Sequence, residues 1–138
     1  MKTLAEYQQF GGPFLPGLLG IEVLEVSAQR VRAALTVRRE LLAPNGFLHA
    51  GTVLTLADTC SGYGCVAALP EGAIGFTTIE IKSNHLGTAL DGVIECLALP
   101  AHLGRTTQVW DATVSHRDNK GKAIALFRCT QMVLYPKG

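Results

Sequence analysis

The sequence predicts an α+β fold in which an antiparallel sheet of five to six strands wraps around one long central helix. Three observations predict it. A helically spaced segment over residues 49–69 is apolar on several sides. Two short alternating segments precede it, and four longer strand-like segments with short connections follow it. Strands and helices do not alternate along the chain, which argues against parallel βαβ units.

Taken in order, residues 1–10 suit a short helical turn, and GGPFLPGLLG, rich in Gly and Pro, reads as a loop. In the next stretch, Ile21, Val23 and Val26 belong to one strand. Val31, Ala33, Leu35 and Val37 then alternate with Arg30, Arg32, Ala34 and Thr36. With a turn near residues 27–29, that period of two predicts an antiparallel pair. Pro44, Asn45 and Gly46 supply turn chemistry before the helix.

Within the helical segment Val53, Leu54, Leu56, Ala57 and Cys60 point several ways, the mark of a core helix. Gly51, Gly62 and Gly64 each lower helix propensity by roughly 1 kcal/mol against Ala, but admit close approach of other backbone. Pro70 ends the helix. Strands are expected at 74–86, 92–99, 105–116 and 123–135, separated by Gly87, residues 100–104 and residues 117–121. RDNKG in the last gap suits a hairpin connection, so the final strands form a meander curling around the helix.

The chain has 138 residues, the size of one domain spanning 1–138. Its net charge of +1 excludes a strong field for nucleic acid or an anionic membrane. No apolar run approaches the ~20 residues of a membrane span. The start, MKTLAEYQQFGG, lacks the apolar core of a secretory signal. Cys60, Cys65, Cys96 and Cys129 form no CxxC pair and read as buried thiols of a cytoplasmic protein. Hydrophobic residues reach 48% against 17% charged, which favours surface hidden in an oligomer.

The question of chemistry begins with Asp58, a carboxylate in the middle of an apolar helix. It lies on a wetter side of the helix, or serves as a buried structural partner, or is a catalytic carboxylate of the kind that clusters at active sites. The helix start offers a second group. Its first N–H groups lack internal partners and favour an oxyanion, and Ala50 and Gly51 are small enough to let a carbonyl approach. His49 caps the turn or contacts substrate. Asp58 lies about 11–12 Å further along the axis, beyond the reach of its own side chain. If both groups act on one carbonyl, they come from two chains whose helices run antiparallel, which gives two equivalent sites.

The stretch Gly46-x-x-His49-Ala50-Gly51-x-x-x-x-Leu56-Ala57-Asp58-Thr59 resembles the G-x-x-H-G-G-x-x-x-x-L-A-D-T signature of hotdog-fold acyl-CoA thioesterases, nearest to the phenylacetate-pathway type. Thr77-Thr78-Ile79-Glu80-Ile81-Lys82, Leu103-Gly104-Arg105-Thr106 and residues 125–131 resemble the family's strands. The resemblance implies a helix wrapped by an antiparallel sheet, a homodimer with a continuous sheet, its pairing into a homotetramer, and sites at the dimer interface. By position it implies Asp58 as nucleophile or base and the Ala50 N–H, joined by Gly51, as oxyanion donor. It further implies His49 positioning the thioester and Thr78 or Thr77 placing water. Two departures stand out. HGG is HAG here, and the Asn or Gln expected three residues before Gly46 is Ala43, with Asn45 offset by two.

The implied reaction is hydrolysis of an acyl-CoA to a free acid and CoA. A hotdog dehydratase or hydratase using His49 and Asp58, and an acyl-CoA-binding regulatory module, are the alternatives. Arg105 and Lys82 are candidates for the CoA phosphates or are solvated strand residues. Asn84 and His85 end a strand near the expected pocket. No cofactor or metal is expected: Ser61 lacks a G-x-S-x-G elbow, the four histidines lack metal spacing, and no G-x-G-x-x-G follows a strand.

Overall fold

The computed structural model describes residues 2–138. The helices are α1 (Leu4–Gly11), α2 (Leu15–Leu19) and α3 (Ala50–Ala67), with a 3₁₀ turn at Arg39–Leu41. The strands are β1 (Glu22–Val26), β2 (Val31–Thr36), β3 (Gly75–His85), β4 (Val93–Leu103), β5 (Thr107–His116) and β6 (Asn119–Leu134). All pairings are antiparallel, in the order β1-β2-β4-β5-β6-β3. The expected architecture is therefore present: six strands, one long helix, and a closing β4-β5-β6 meander.

Helix α3 lies on the inner face of the sheet because that face and most of the helix are both apolar. Trp110 of β5 is fully buried and presses so tightly on the helix that a β-carbon at Gly64 would lie 2.4 Å from its ring. The Trp110 Nε1–H donates to Gln108 Oε1 at 2.8 Å, and Gln108 Nε2 donates to the Ala68 carbonyl at 3.2 Å. This pair fixes the helix C-terminus to the sheet. All four cysteines are buried and free, as the sequence suggests.

Three local expectations are corrected. The stretch read as a loop contains α2, which starts with Pro16 in its first turn and ends at Gly20, φ +77°. Arg38 holds it from a distance, donating to the Leu18 and Leu19 carbonyls at 2.7 and 3.0 Å. Strand β4 runs through Pro100 to Leu103, because a bulge between Pro100 and His102 absorbs the missing N–H. Strand β6 begins at Asn119, since a two-residue turn after His116 suffices for the hairpin.

A bulge in β3 positions the site. Thr78 pairs with Gln131 and Glu80 with Thr130, leaving Ile79 as the extra residue. Phe76 packs on Gly62 of α3, 3.2 Å from where a β-carbon would be, so Phe76 and Thr78 face inward. Past the bulge the phase changes, and Ile81, Ser83 and His85 take the inward positions. Thr77, Lys82 and Asn84 face outward. Strand β3 is an edge of the sheet and is exposed along most of its length.

Candidate active site

The site is built around the start of α3. His49 is the N-cap, and its Nδ1 accepts the Gly51 N–H at 2.7 Å. A backbone N–H only donates, so Nδ1 is the acceptor and the neutral ring carries its proton on Nε2, free to donate elsewhere. The same contact engages Gly51. The Ala50 N–H is different: among the described residues no hydrogen bond uses it. Of the two expected backbone donors, the Gly51 N–H is therefore engaged by His49 and the Ala50 N–H is left without a partner among the described residues.

The turn before the helix closes on itself. Gly46, φ +89°, donates its N–H to the Ala43 carbonyl at 2.9 Å, and Ala43 donates to the Phe47 carbonyl at 2.7 Å. Asn45 Oδ1 accepts the Phe47 N–H at 3.1 Å, an Asx turn that leaves its amide NH₂ as a donor. Asn45, His49, Ala50 and His85 line one open groove of about 580 Å³, together with Ala43, Val53 and Thr88. The His85 ring is held by Ser83 Oγ at 3.1 Å. The sequence did not point to Leu86, Gly87 and Thr88. They reach the groove because the Leu48 N–H donates to the Ala89 carbonyl at 3.0 Å and draws the β3–β4 loop inward.

Every functional group in that groove is a donor or a histidine, and none is an acid. Asp58 lies eight residues on, about 12 Å along the axis. It belongs to a half-buried stripe of Gly51, Leu54, Thr55, Asp58 and Thr59, the face of α3 that the sheet leaves uncovered. Burial raises the Asp58 pKa above the ordinary carboxylate value, and no salt bridge among the described residues opposes this. Burial also pushes the nearby Cys129 thiol up to about 11, and the Asp58 charge adds to that shift.

The remaining candidates separate. Thr78 is inward and exposed, beside Gln131 in the register. Thr77 faces the outer side of the sheet. Asn84 lies there too, in a shallow depression with Lys82 and the Asp111–Arg128 ion pair. Arg105 stacks over the Tyr135 ring at 5.3 Å in the β4–β5 loop. That loop is at the other end of the sheet from His85, about 30 Å away by the rise along β6. Among the described residues no cluster suits a metal ion, and no helix is long and apolar enough to cross a membrane.

A helix cradled in an antiparallel sheet, with one free N–H donor at its start and a carboxylate at its centre, is the arrangement of a hotdog-fold thioester hydrolase. The family model of the Thioesterase superfamily matches residues 45–123, and the chain belongs to that family. It is 30% identical over 112 residues to the 1,4-dihydroxy-2-naphthoyl-CoA hydrolase of Listeria monocytogenes, covering 81% of this chain and 89% of that one. A solved mutant thioesterase of Pseudomonas aeruginosa superposes with a TM-score of 0.89 at 28% identity, over 97% and 95% of the two chains. A thioesterase of Haemophilus influenzae gives 0.90 at 28% identity, over 98% and 92%. None of the three is named for the phenylacetate-pathway type that the motif suggested.

Proposed function

We propose that the protein hydrolyses acyl-CoA thioesters at sites shared by two copies of the chain. Each site joins Asp58 of one copy to the Ala50 N–H and His49 of the other. One observation carries this reading. The donor groove holds no acid, and the desolvated, unpaired carboxylate lies about 12 Å away on the same helix. An antiparallel neighbour closes that gap twice over.

Two surfaces suit such a neighbour. One is the uncovered stripe of α3, and the other is the edge of β3, which leaves its backbone groups free for another strand. Ile74, Ile79 and Ile81 are 68%, 54% and 40% exposed along that edge. Pairing of dimers into a tetramer is supported by Leu99, Leu126, Met132 and Leu134 on the outer face of the sheet, all exposed. The naphthoyl-CoA hydrolase relative supports a coenzyme A ester with an aromatic acyl group as the substrate class.

In this reading the Ala50 N–H and His49 Nε2–H hold the thioester oxygen as it gains charge. Asp58 either draws a proton from water or attacks the carbonyl carbon itself. Water supplies OH to the acyl carbon, the C–S bond breaks, and sulfur leaves as a thiolate. A thiol pKa near 8.5 lets it depart without an acid. Thr78, inward on β3, places the water. The amide of Asn45 and the ring of His85 contact substrate in the groove. An antiparallel neighbour turns its Arg105 end toward this groove, where it meets the CoA phosphates. Thr77 and Asn84 face away and take no part. A dehydratase pairing of His49 with Asp58 is disfavoured by the Gly51 N–H on Nδ1, which occupies the lone pair a histidine base would use.

Mixing two inactive variants tests the arrangement. Ala50→Pro and Asp58→Asn each lack one half of every site. Refolded together in equal amounts, they form mixed dimers with one intact site, and thiol release across an acyl-CoA panel recovers to about a quarter of wild type. Recovery of nothing, from a mixture shown to exchange subunits, refutes the shared site.

A further inference from the structure

Gln131 of β6 is fully buried, and neither its side-chain oxygen nor its nitrogen has a partner. Its cross-strand neighbour Gln108 is equally buried, yet its amide is satisfied by Ala68 and Trp110. The same residue type, in the same core, meets opposite outcomes. An unpaired buried amide carries a desolvation penalty, and such groups in a core call for an account.

Ser61 Oγ is a second orphan, also fully buried and unpartnered. It follows Asp58 by three residues on α3, the spacing that places side chains next to each other on a helix. The Cys129 thiol is close enough to interact with it, but the hydroxyl makes no hydrogen bond of ordinary geometry. Cys129 and Gln131 occupy successive inward positions of β6, and Thr78 is the partner of Gln131 across β3. A polar line therefore runs from Asp58 through Ser61 and Cys129 to Gln131 and Thr78, between an apolar helix and an apolar sheet.

We propose that Ser61 and Gln131 hold an internal water beneath Asp58 and act through it as positioning residues for the hydrolysis. A buried water needs two to four polar partners, and the Ser61 hydroxyl, the Gln131 amide and one Asp58 oxygen supply them. Donating to the inner carboxylate oxygen, the water fixes the rotamer of Asp58 and leaves the outer oxygen aimed at the reacting carbonyl. The proposal rests on Asp58 as the reacting carboxylate.

The test compares Gln131→Met, Ser61→Ala and the double variant with wild type, by thiol release from benzoyl-CoA and hexanoyl-CoA and by thermal melts. Each single variant is expected to lower kcat about tenfold with KM unchanged. Gln131→Met, which keeps the volume and gives up only the amide's bond to one water, melts within a few degrees of wild type. The double variant is no slower than either single, because both residues hold one water. Wild-type kcat in both singles, a loss confined to KM, or a hundredfold loss in the double overturns the proposal. Should Gln131→Met fail to fold, that lost stability also counts against it, and Ser61→Ala still decides the kinetics. Asp58→Asn is run alongside. If it is active, the fault lies with the assignment of Asp58; if it is dead while Ser61→Ala and Gln131→Met are normal, the internal water alone is refuted.

Discussion

Replacing Ala50 by proline removes one N–H and little else. The position is the first of α3, where proline's missing donor and fixed φ suit a helix start. The residue before a proline must be extended, and His49 already is, at φ −66° and ψ 134°. The first helical bonds, from the Thr52 and Val53 N–H groups to the His49 carbonyl at 3.0 and 3.3 Å, do not involve Ala50. The fold is therefore expected to survive, with a melting temperature unchanged or raised by the stiffer unfolded chain. The chemistry is not. Loss of one preorganised oxyanion donor costs about 3–4 kcal/mol in barrier, a fall of roughly 10²–10³ in kcat. Thiol release at saturating acyl-CoA reads kcat directly, and Ala50→Gly, which keeps the N–H, serves as the control. An Ala50→Pro protein that folds and keeps kcat within about threefold of wild type would show that this amide does not hold the thioester oxygen.

Other outcomes follow from the same geometry. Asp58→Asn is expected to lower kcat by about 10²–10⁴ while raising the melting temperature at pH 7. Burial raises the folded pKa of Asp58, so its ionised form weakens the fold above that pKa. The penalty vanishes as pH falls through it, and the gap between variant and wild-type melts narrows in step. A gap that widens on acidification contradicts the assignment. The rate of the wild-type enzyme falls over the same acidic range, since the protonated carboxyl neither attacks nor accepts a proton. Gly64→Ala gains about 1 kcal/mol of helix propensity but places a β-carbon 2.4 Å from the Trp110 ring. Overpacking of about 1–3 kcal/mol outweighs that gain, and a chemical denaturation midpoint at or above wild type would refute the tight contact.

The central helix was legible because its apolar residues recur at helical spacing, and Asp58 stood out as a charge with no reason to be there. The distance from Asp58 to the helix start was legible too, since helical rise is fixed. The strands of the meander showed as alternation. What remained hidden depends on partners distant in sequence. Helix α2 is held by Arg38, about twenty residues on. Its glycine at position 17 packs so close to Gly12 that a β-carbon would lie 1.9 Å from that carbonyl oxygen. The choice between Thr77 and Thr78 hangs on which face meets the helix. The engagement of Gly51 by His49 is a side-chain rotamer, which no spacing rule reports.

The single extra residue at Ile79 decides which side chains of β3 meet the helix. Plain alternation from Phe76 would carry Thr78, Lys82 and Asn84 to the helix side together. The insertion splits them and sends Ile81, Ser83 and His85 there instead. Deleting Ile79 would restore plain alternation with Glu80 still opposite Thr130, so Ile81, Ser83 and His85 would keep their inward places; closing the bulge with Ile79 retained would instead turn Lys82 and Asn84 to the helix. An ammonium and an amide would then stand where this chain presents a hydroxyl and an imidazole, with no residue changed in identity and only its direction reversed.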